Sequence, residues 1–424
     1  MSRSISIAPL ATLAALLLSA GAALAQPLSL AEAQELAVQR SRQLPAQAAA
    51  ASAARERAVA AGQRPDPVLR LGISNLLIEG PDRFSLTREG MTMRNIGVMQ
   101  ELTRGDKLAA RSRRYEQEAL AAEAMQDGAR LMVRRDAGLA WLDLLYAQRA
   151  VEGMRQQQAE TRLQLEGALA SLRGGRGTQA EVVAAQQASA QLDDRIEEGT
   201  REVQAARAAL ARWVGEPADR PLLAALPAPL AEPGDLAQRI AAHPQLRALH
   251  GQEAVAEAEV AMAASERRGD WSVELMYSQR GSQFGDMVSL TLSRPLQLNR
   301  GARQDREVAA KRADAERLRE EREEARRGLV AEAQALLATW QGVRNRLQLH
   351  DTRLLPLASD RIQASLAAYR GGGMLASVLE ARRGYIETHL ERLRLERDAG
   401  RALLQLEYLL GGHDAATIQE GARP

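Results

Sequence analysis

The 424-residue chain has no sequence motif that is typical of a catalytic or metal-binding site. It has no cysteine, and none of its histidines belongs to an H-x-x-H or HExxH pattern; they are His243, His250, His350, His389 and His413. The motifs GxSxG and GxGxxG and the phosphate-binding P-loop are absent as well. The sequence therefore predicts neither an enzyme nor a resident cofactor or metal.

Three methionines, Met91, Met93 and Met99, lie close together in the sequence. Thioether sulfur binds soft cations such as Cu(I), so these side chains could form a soft-metal site. The alternative is that they are ordinary apolar side chains along a strand, which is the commoner role. No metal ligand is assigned on this basis.

Two similar glycine clusters interrupt segments whose apolar spacing is helical. They are SLRGGRGTQAEVVAA at 171–185 and LAAYRGGGMLASVLEA at 366–381. One glycine in a helix interior costs about 1 kcal/mol relative to alanine, so a cluster predicts a break. We interpret the two clusters as the tips of two helical hairpins.

The similarity of these clusters is part of an internal duplication. Five landmarks recur in the same order at offsets of 196 to 204 residues. They pair Leu36-Ala37 with Ile240-Ala241, Arg64-x-Asp66 with Arg268-x-Asp270, Arg104-Gly105 with Arg300-Gly301, Trp141 with Trp340, and Arg173-Gly174 with Arg370-Gly371. We predict a first structural repeat at 26–220, a proline-rich linker at 221–233, a second repeat at 234–412 and a C-terminal tail at 413–424.

Each repeat has the same order of secondary-structure elements. Alternation of apolar and polar residues, clearest in WSVELMY at 271–277, predicts strands at about 67–78, 91–102, 271–280 and 286–297. The segment 91–102 alternates least clearly. Apolar residues at helical spacing predict helices at about 29–62, 104–172, 179–213, 234–267, 301–370 and 376–411.

Composition and the N-terminus indicate the class of protein. Charged residues make up 26% of the chain and aromatic residues only 3%, which is typical of long helices or coiled coils. The net charge of +2 is nearly balanced and the basic residues are dispersed, so no nucleic-acid partner is expected. Arg3, an apolar run and an A-x-A site at Ala23–Ala25 predict a secretory signal peptide at 1–25. We expect an exported protein that is soluble or a membrane β-barrel.

The predicted strands have the length needed to cross an outer membrane at a tilt of ~45°. Four strands cannot close a barrel, and open strand edges are not tolerated in lipid. Membrane insertion would therefore require several copies to build one barrel, with helices about 100 Å long below it. The alternative is a small sheet in a periplasmic coiled-coil protein.

The residues around the second glycine cluster resemble a known family pattern. In the TolC-like outer membrane factors, a Tyr and a glycine-containing turn precede the sequence D-V-L-D-A. Here Tyr369 precedes the turn and SVLEA follows it at 377–381, and the first-half counterpart is EVV at 181–183. Nearly the whole chain resembles this family, and GPDRFSLTREGMTMRNIGVMQELTRGDK at 80–107 resembles its heavy-metal, CzcC-like branch.

The resemblance implies a mainly α protein with a membrane β-barrel. The protomer would be internally duplicated, with long antiparallel helices plus four β-strands, and would assemble as a homotrimer with a 12-stranded β-barrel on an α-helical barrel. The implied location is the outer membrane, in contact with its lipid, with helices extending into the periplasm. The implied partners are a periplasmic adaptor (membrane fusion protein) and an inner-membrane RND transporter. The expected function is the passive exit duct of a tripartite efflux system for cobalt, zinc, cadmium or copper.

The resemblance also assigns roles to residues of the tips. Acids that line the periplasmic aperture in family members correspond to Glu380 and Glu181, while Ser377 replaces the first Asp of D-V-L-D-A. Alternatively, both glutamates are ordinary acids at helix starts, where the helix dipole favours them. The expected adaptor-facing residues are Arg173, Gly174, Gly175, Arg370, Gly371 and Gly372. These residues could equally serve only to reverse the chain.

Other functions stay open at this level. A TolC-like channel could export drugs or secreted polypeptides instead of metals. From a different class, the chain could be a non-channel periplasmic coiled-coil structural or adaptor protein. An adaptor should carry a lipoyl-like β-domain between its helical arms, whereas only short strand pairs join the arms here.

Overall fold

A computed structural model describes residues 26–223 and 236–411 of the chain. The expected signal peptide, most of the expected linker and the expected tail lie outside the described residues. The described chain is mostly helical and contains one antiparallel sheet of four strands. This confirms the expected combination of long helices with four β-strands.

The elements follow the same order in both repeats. The helices are α1 (Leu30–Arg40), α2 (Gln43–Ala61), α3 (Gly105–Arg173), α4 (Gln179–Val214), α5 (Leu236–Ala241), α6 (Pro244–Ser265), α7 (Gln304–Leu349), α8 (Leu355–Arg370) and α9 (Leu375–Leu409). The strands are β1 (Val68–Ser74), β2 (Met93–Leu102), β3 (Trp271–Gln279) and β4 (Met287–Ser293). None of these helices is long and apolar enough to cross a lipid bilayer.

The described chain divides into two compact units. The sheet unit contains residues 42–129 and 240–329, and the helical unit contains the described residues outside these ranges. Each unit takes residues from both sequence repeats. The two repeats therefore build both units jointly.

In the sheet unit the strand order is β1-β2-β3-β4, and every neighbouring pair is antiparallel. The central pair, β2 with β3, joins the two repeats. Strands β1 and β4 are shorter than the expected spans of 67–78 and 286–297. β1 ends before Asn75, whose φ of 54° is incompatible with a strand. β4 ends two residues before Pro295, which has no amide hydrogen for a ladder.

In the helical unit the two tryptophans that recur in the duplication, Trp141 and Trp340, are buried. Trp141 on α3 is fully buried among leucines, and its Nε1 donates a hydrogen bond to the Leu28 carbonyl at 3.0 Å. Trp340 on α7 packs against Leu403 and Leu406 of α9. Both tryptophans thus belong to apolar clusters of the helical unit.

Three helices expected to be continuous are interrupted. The segment expected at 29–62 forms α1 and α2, and that expected at 234–267 forms α5 and α6, where His243 caps the second helix. The segment expected at 301–370 contains a π-helical turn, His350–Leu354. Pro356 lies just beyond this turn and cannot donate to the carbonyl four residues earlier, so a continuous α-helical ladder is lost there.

Candidate functional site

One face of the sheet is apolar and exposed. The register places Leu71, Ile96, Tyr277 and Val288 in one row, and Leu69, Val98, Leu275 and Leu290 in the next. Leu71 and Val288 are each 69% exposed, and Leu290 is 66% exposed. A continuous apolar patch across four strands marks an interaction surface rather than scattered surface residues.

The opposite face of the sheet is polar. Asn95 Nδ2 donates to Ser74 Oγ at 2.9 Å, and Ser278 Oγ donates to Asn95 Oδ1 at 2.7 Å. Arg70 forms an ion pair with Glu274 at 3.2 Å on the same face. A sheet with one apolar and one polar face fits a boundary between an apolar phase and water.

Two of the three methionines considered as metal ligands lie on this polar face, namely Met93 and Met99. Met91 precedes β2 and is exposed. Arg70 Nη2 donates a hydrogen bond to Met99 Sδ at 3.2 Å. The positively charged guanidinium therefore lies where a metal cation would have to approach that sulfur. Among the described residues, no group of three or more His, Cys, Asp or Glu side chains could hold a metal ion.

The two outer edges of the sheet lack a strand partner within the described chain. β1 pairs only with β2, and β4 pairs only with β3. Unpaired edges expose rows of backbone donors and acceptors and are templates for pairing with another chain. The sheet therefore has free edges on both sides of its apolar face.

A buried ion-pair cluster lies where β2 ends and β3 begins. Lys107 Nζ contacts Asp270 Oδ2 and Glu266 Oε2, each at 2.7 Å, and the Arg104 backbone N–H donates to Asp270 Oδ1 at 3.2 Å. Burial alone would raise the pKa of the Asp270 carboxyl, but its hydrogen bonds from Lys107 and Arg104 outweigh burial and hold that pKa below its usual value. The cluster ties the first repeat to the second at the base of the sheet.

The first glycine cluster forms the turn between α3 and α4. Arg173 is the last residue of α3, and the Gly174 N–H donates to the Ala170 carbonyl at 2.9 Å. Gly175 has a φ of +66°, a conformation that favours glycine. Thr178 then caps α4 in a capping box with Glu181.

The second glycine cluster forms the turn between α8 and α9. Arg370 ends α8, the Gly371 N–H donates to the Ala368 carbonyl at 3.0 Å, and Gly372 has a φ of +96°. Met374 precedes α9 and its side chain forms no capping hydrogen bond. The structure thus places both glycine clusters at chain reversals between long helices.

The two turns pack against one another in the helical unit. Val182 and Ala185 of α4 and Ala168 of α3 are buried with Leu375 and Val378 of α9. The two turns, which are almost 200 residues apart in the sequence, thus lie together in the structure. Small and β-branched side chains at this contact allow close helix packing.

The three residues expected at an aperture have different surroundings. Hydrogen bonds from the Thr178 backbone and from the Leu375 backbone hold the pKa of the Glu181 carboxyl below its usual value. Ser377 Oγ donates to the Met374 carbonyl at 2.8 Å. Glu380 is exposed and forms an ion pair with Arg361, at 3.2 Å between Oε1 and Nη2. The sequence did not predict Arg361 as part of this site. Arg361 lies 19 residues before Glu380, beyond the local spacing that sequence patterns report.

No protein-family model matches the chain, and no curated protein matches it in sequence. Solved structures do match over nearly the full length. CusC, whose structures concern transmembrane channel formation, is 15% identical with a TM-score of 0.76, covering 91% of this chain and 92% of that one. The outer membrane protein VceC of Vibrio cholerae is 19% identical with a TM-score of 0.72, covering 90% of this chain and 96% of that one.

The open-state outer membrane channel MtrE of Neisseria gonorrhoeae is similar as well. It is 16% identical with a TM-score of 0.73, and the match covers 90% of this chain and 89% of that one. At these identities the similarity concerns the fold. The chain has the fold of outer-membrane channel proteins.

Proposed function

We propose that the chain is the outer-membrane channel of a tripartite RND-type efflux system. The observation that carries this proposal is the sheet, which has one exposed apolar face, one polar face and two unpaired edges. In a bilayer the apolar face contacts lipid and the polar face lines water. Because four strands cannot close alone, three copies pair their edges into a 12-stranded barrel above an α-helical barrel.

The fold shared with CusC, VceC and MtrE over about nine-tenths of each chain supports the proposal. CusC forms a transmembrane channel, VceC is an outer membrane protein and MtrE is an outer membrane channel. The test is fractionation followed by electrophoresis with and without heating, and then conductance in a planar bilayer. An outer-membrane trimer that conducts ions supports the channel. Recovery of a monomer in the soluble periplasmic fraction would refute it.

The two tips form the end that meets a periplasmic adaptor, which is connected to an inner-membrane RND transporter. Their packing into one cluster supports this role, since it presents Gly174, Gly371 and the exposed Met374 together on one part of the helical unit. The adaptor contact is tested by cysteine cross-linking from Met374→Cys in cells. Loss of cross-linking when the adaptor gene is deleted supports the contact, and an unchanged pattern opposes it.

Glu380 lines the closed aperture in this proposal. Its exposed carboxylate, held by Arg361, would repeat three times around the axis of the trimer. Glu380→Ala should raise single-channel conductance or weaken block by divalent cations, whereas the matched variant Glu202→Ala, an exposed acid of α4, should not. Equal behaviour of the two variants would make Glu380 an ordinary acid of a solvated helix.

The proposed cargo is heavy-metal cations, on the similarity of residues 80–107 to the metal branch. The chain itself acts as a passive duct, and the transporter selects the cargo. Deleting the gene should lower tolerance to at least one of zinc, cobalt, cadmium and copper. Unchanged metal tolerance with raised drug sensitivity would assign the channel to drug export.

A further inference from the structure

The β2–β3 pair is the seam, that is, the strand pairing that joins the two repeats. The duplication predicts a second, equivalent strand pairing. Strand β2 is the second strand of the first repeat, and β3 is the first strand of the second repeat. The equivalent pairing would join β4, the second strand of the second repeat, to β1. Within one chain these are the two free edges, so the partner strand must come from a second copy.

The ion-pair cluster at the β2–β3 seam has an equivalent in the sequence. The landmark offset of 204 residues relates Asp270 to Asp66, and the offset of 196 residues relates Lys107 to Arg303. The residues keep their charge signs at both positions. The sequence thus has an acid, Asp66, beside one free edge and a base, Arg303, beside the other, as it has Asp270 and Lys107 at the β2–β3 seam.

Asp66 and Arg303 have no ion-pair partner in the part of one chain that the structure describes. Both side chains are exposed, and neither forms an ion pair in the described residues. Their counterparts Asp270 and Lys107 are buried and 2.7 Å apart. We infer that Asp66 of one copy binds Arg303 of the next copy and fixes the register between them.

The apolar pattern of the edges agrees with this register. The observed β1–β2 and β3–β4 ladders correspond when β3 is offset from β1 by 204 residues and β4 from β2 by 194. Transferring the β2–β3 pairs Val98–Leu275 and Ile96–Tyr277 by these offsets places Leu292 opposite Leu71 and Leu290 opposite Ile73. Leu71 and Leu292 are 69% and 62% exposed in the single chain, so a strand of the neighbouring copy can contact both.

This register keeps apolar side chains together on one face, whereas a shift of one residue would put them against the polar face. Pro295 removes at most one backbone hydrogen bond from the new seam.

The register can be tested by disulfide cross-linking because the native chain has no cysteine. This inference rests on the proposed multi-copy channel. The double variant Leu71→Cys/Leu292→Cys should form reducible links between copies under mild oxidation, and the control shifted by two residues, Leu69→Cys/Leu292→Cys, should form several-fold fewer. Preferential linking of the shifted pair, or no linking of either pair in a protein that runs as a trimer, would overturn the register.

Charge exchange tests the ion pair separately. Asp66→Arg and Arg303→Asp should each shorten the lifetime of the trimer during mild heating by about tenfold, and the double variant should restore it. Arg312→Asp, at an exposed arginine of helix α7, which begins just after Arg303, is the matched control and should have little effect. If the native protein forms trimers but the double variant fails to restore them, the ion pair is wrong and the channel proposal stands. If the native protein forms no trimer, the channel proposal itself fails.

Discussion

Replacing Asp270 with asparagine tests how much the buried ion-pair cluster stabilises the protein. Asp270→Asn keeps the shape of the side chain but removes the negative charge that faces Lys107 at 2.7 Å. The side chains of Asp270 and Lys107 are only 5% and 8% exposed, so water cannot replace the lost interaction. The ammonium of Lys107 would remain buried with a weaker set of partners.

The expected loss follows from the contacts that remain. Removing one partner of a buried ion pair costs about 3–5 kcal/mol. Lys107 keeps Glu266 at 2.7 Å, and Arg104 can still donate its backbone N–H to the amide oxygen of the new side chain. We therefore expect the lower limit, about 3 kcal/mol in the free energy of unfolding, or a factor of about 10² in the equilibrium constant.

Guanidinium unfolding of the purified protein, followed by circular dichroism, measures this difference. Asp127→Asn is the matched control, since Asp127 forms an exposed ion pair with Arg247 at 3.1 Å that is worth about 1 kcal/mol at most. Because the folded-state pKa of Asp270 lies below its ordinary 3.8, its contribution is complete above pH 3.8 and disappears as pH falls through the folded value. Equal losses in the two variants, or a difference independent of pH, would refute the reasoning.

Three further predictions concern the turns, the acids and the apolar face. Gly372→Ala should lower stability by about 1–2 kcal/mol because φ is +96°, and Gly371→Ala, at a negative φ, should cost less in the same denaturation assay. Burial would raise the pKa of the Glu253 carboxyl, but ion pairs with arginines outweigh burial and hold that pKa below its ordinary 4.5. The stability of the native protein should therefore decline as pH falls below about 4.5, and that of Glu253→Gln should decline less steeply. If urea unfolding shows the same decline in both proteins, this prediction is wrong. Leu290→Arg should reduce insertion into vesicles by about 2–4 kcal/mol, whereas Ser289→Arg on the opposite face should have little effect. Equal effects of the last two variants would exclude a lipid-facing role for the apolar face.

The sequence predicts the elements that depend on local or repeated patterns. The strand β3 at Trp271–Gln279 nearly matches its predicted span because alternation over that segment is strict. The helix α3 matches because apolar spacing and the glycine stop at Gly174 define both its course and its end. The duplication adds a second, independent indication for each weaker element, which is how β2 could be recognised despite poor alternation.

Features that depend on contacts between distant segments were not predictable in the same way. The partner of Glu380 is Arg361 on the preceding helix, and no spacing rule connects these two residues. Glu181 takes part in a capping box, which the sequence TQAE can indicate, but its hydrogen bond from Leu375 depends on how the two turns pack. The π-helical turn lies just before Pro356, which has no backbone N–H to donate. The proline predicts a disturbance of the helix, but it does not predict which residues form the turn.

The two offsets of the duplication explain why the repeats can form one continuous sheet despite unequal loops. The offset changes from 204 at Asp66–Asp270 to 196 at Arg104–Arg300, and the loop between the two strands of each repeat lies between these landmarks. Loops tolerate such differences in length, whereas strand faces do not. Both offsets are even, and side chains alternate between the two faces of a strand. Residues related by either offset therefore lie on the same face of the sheet. The even offsets therefore keep the same face of the sheet apolar in both repeats.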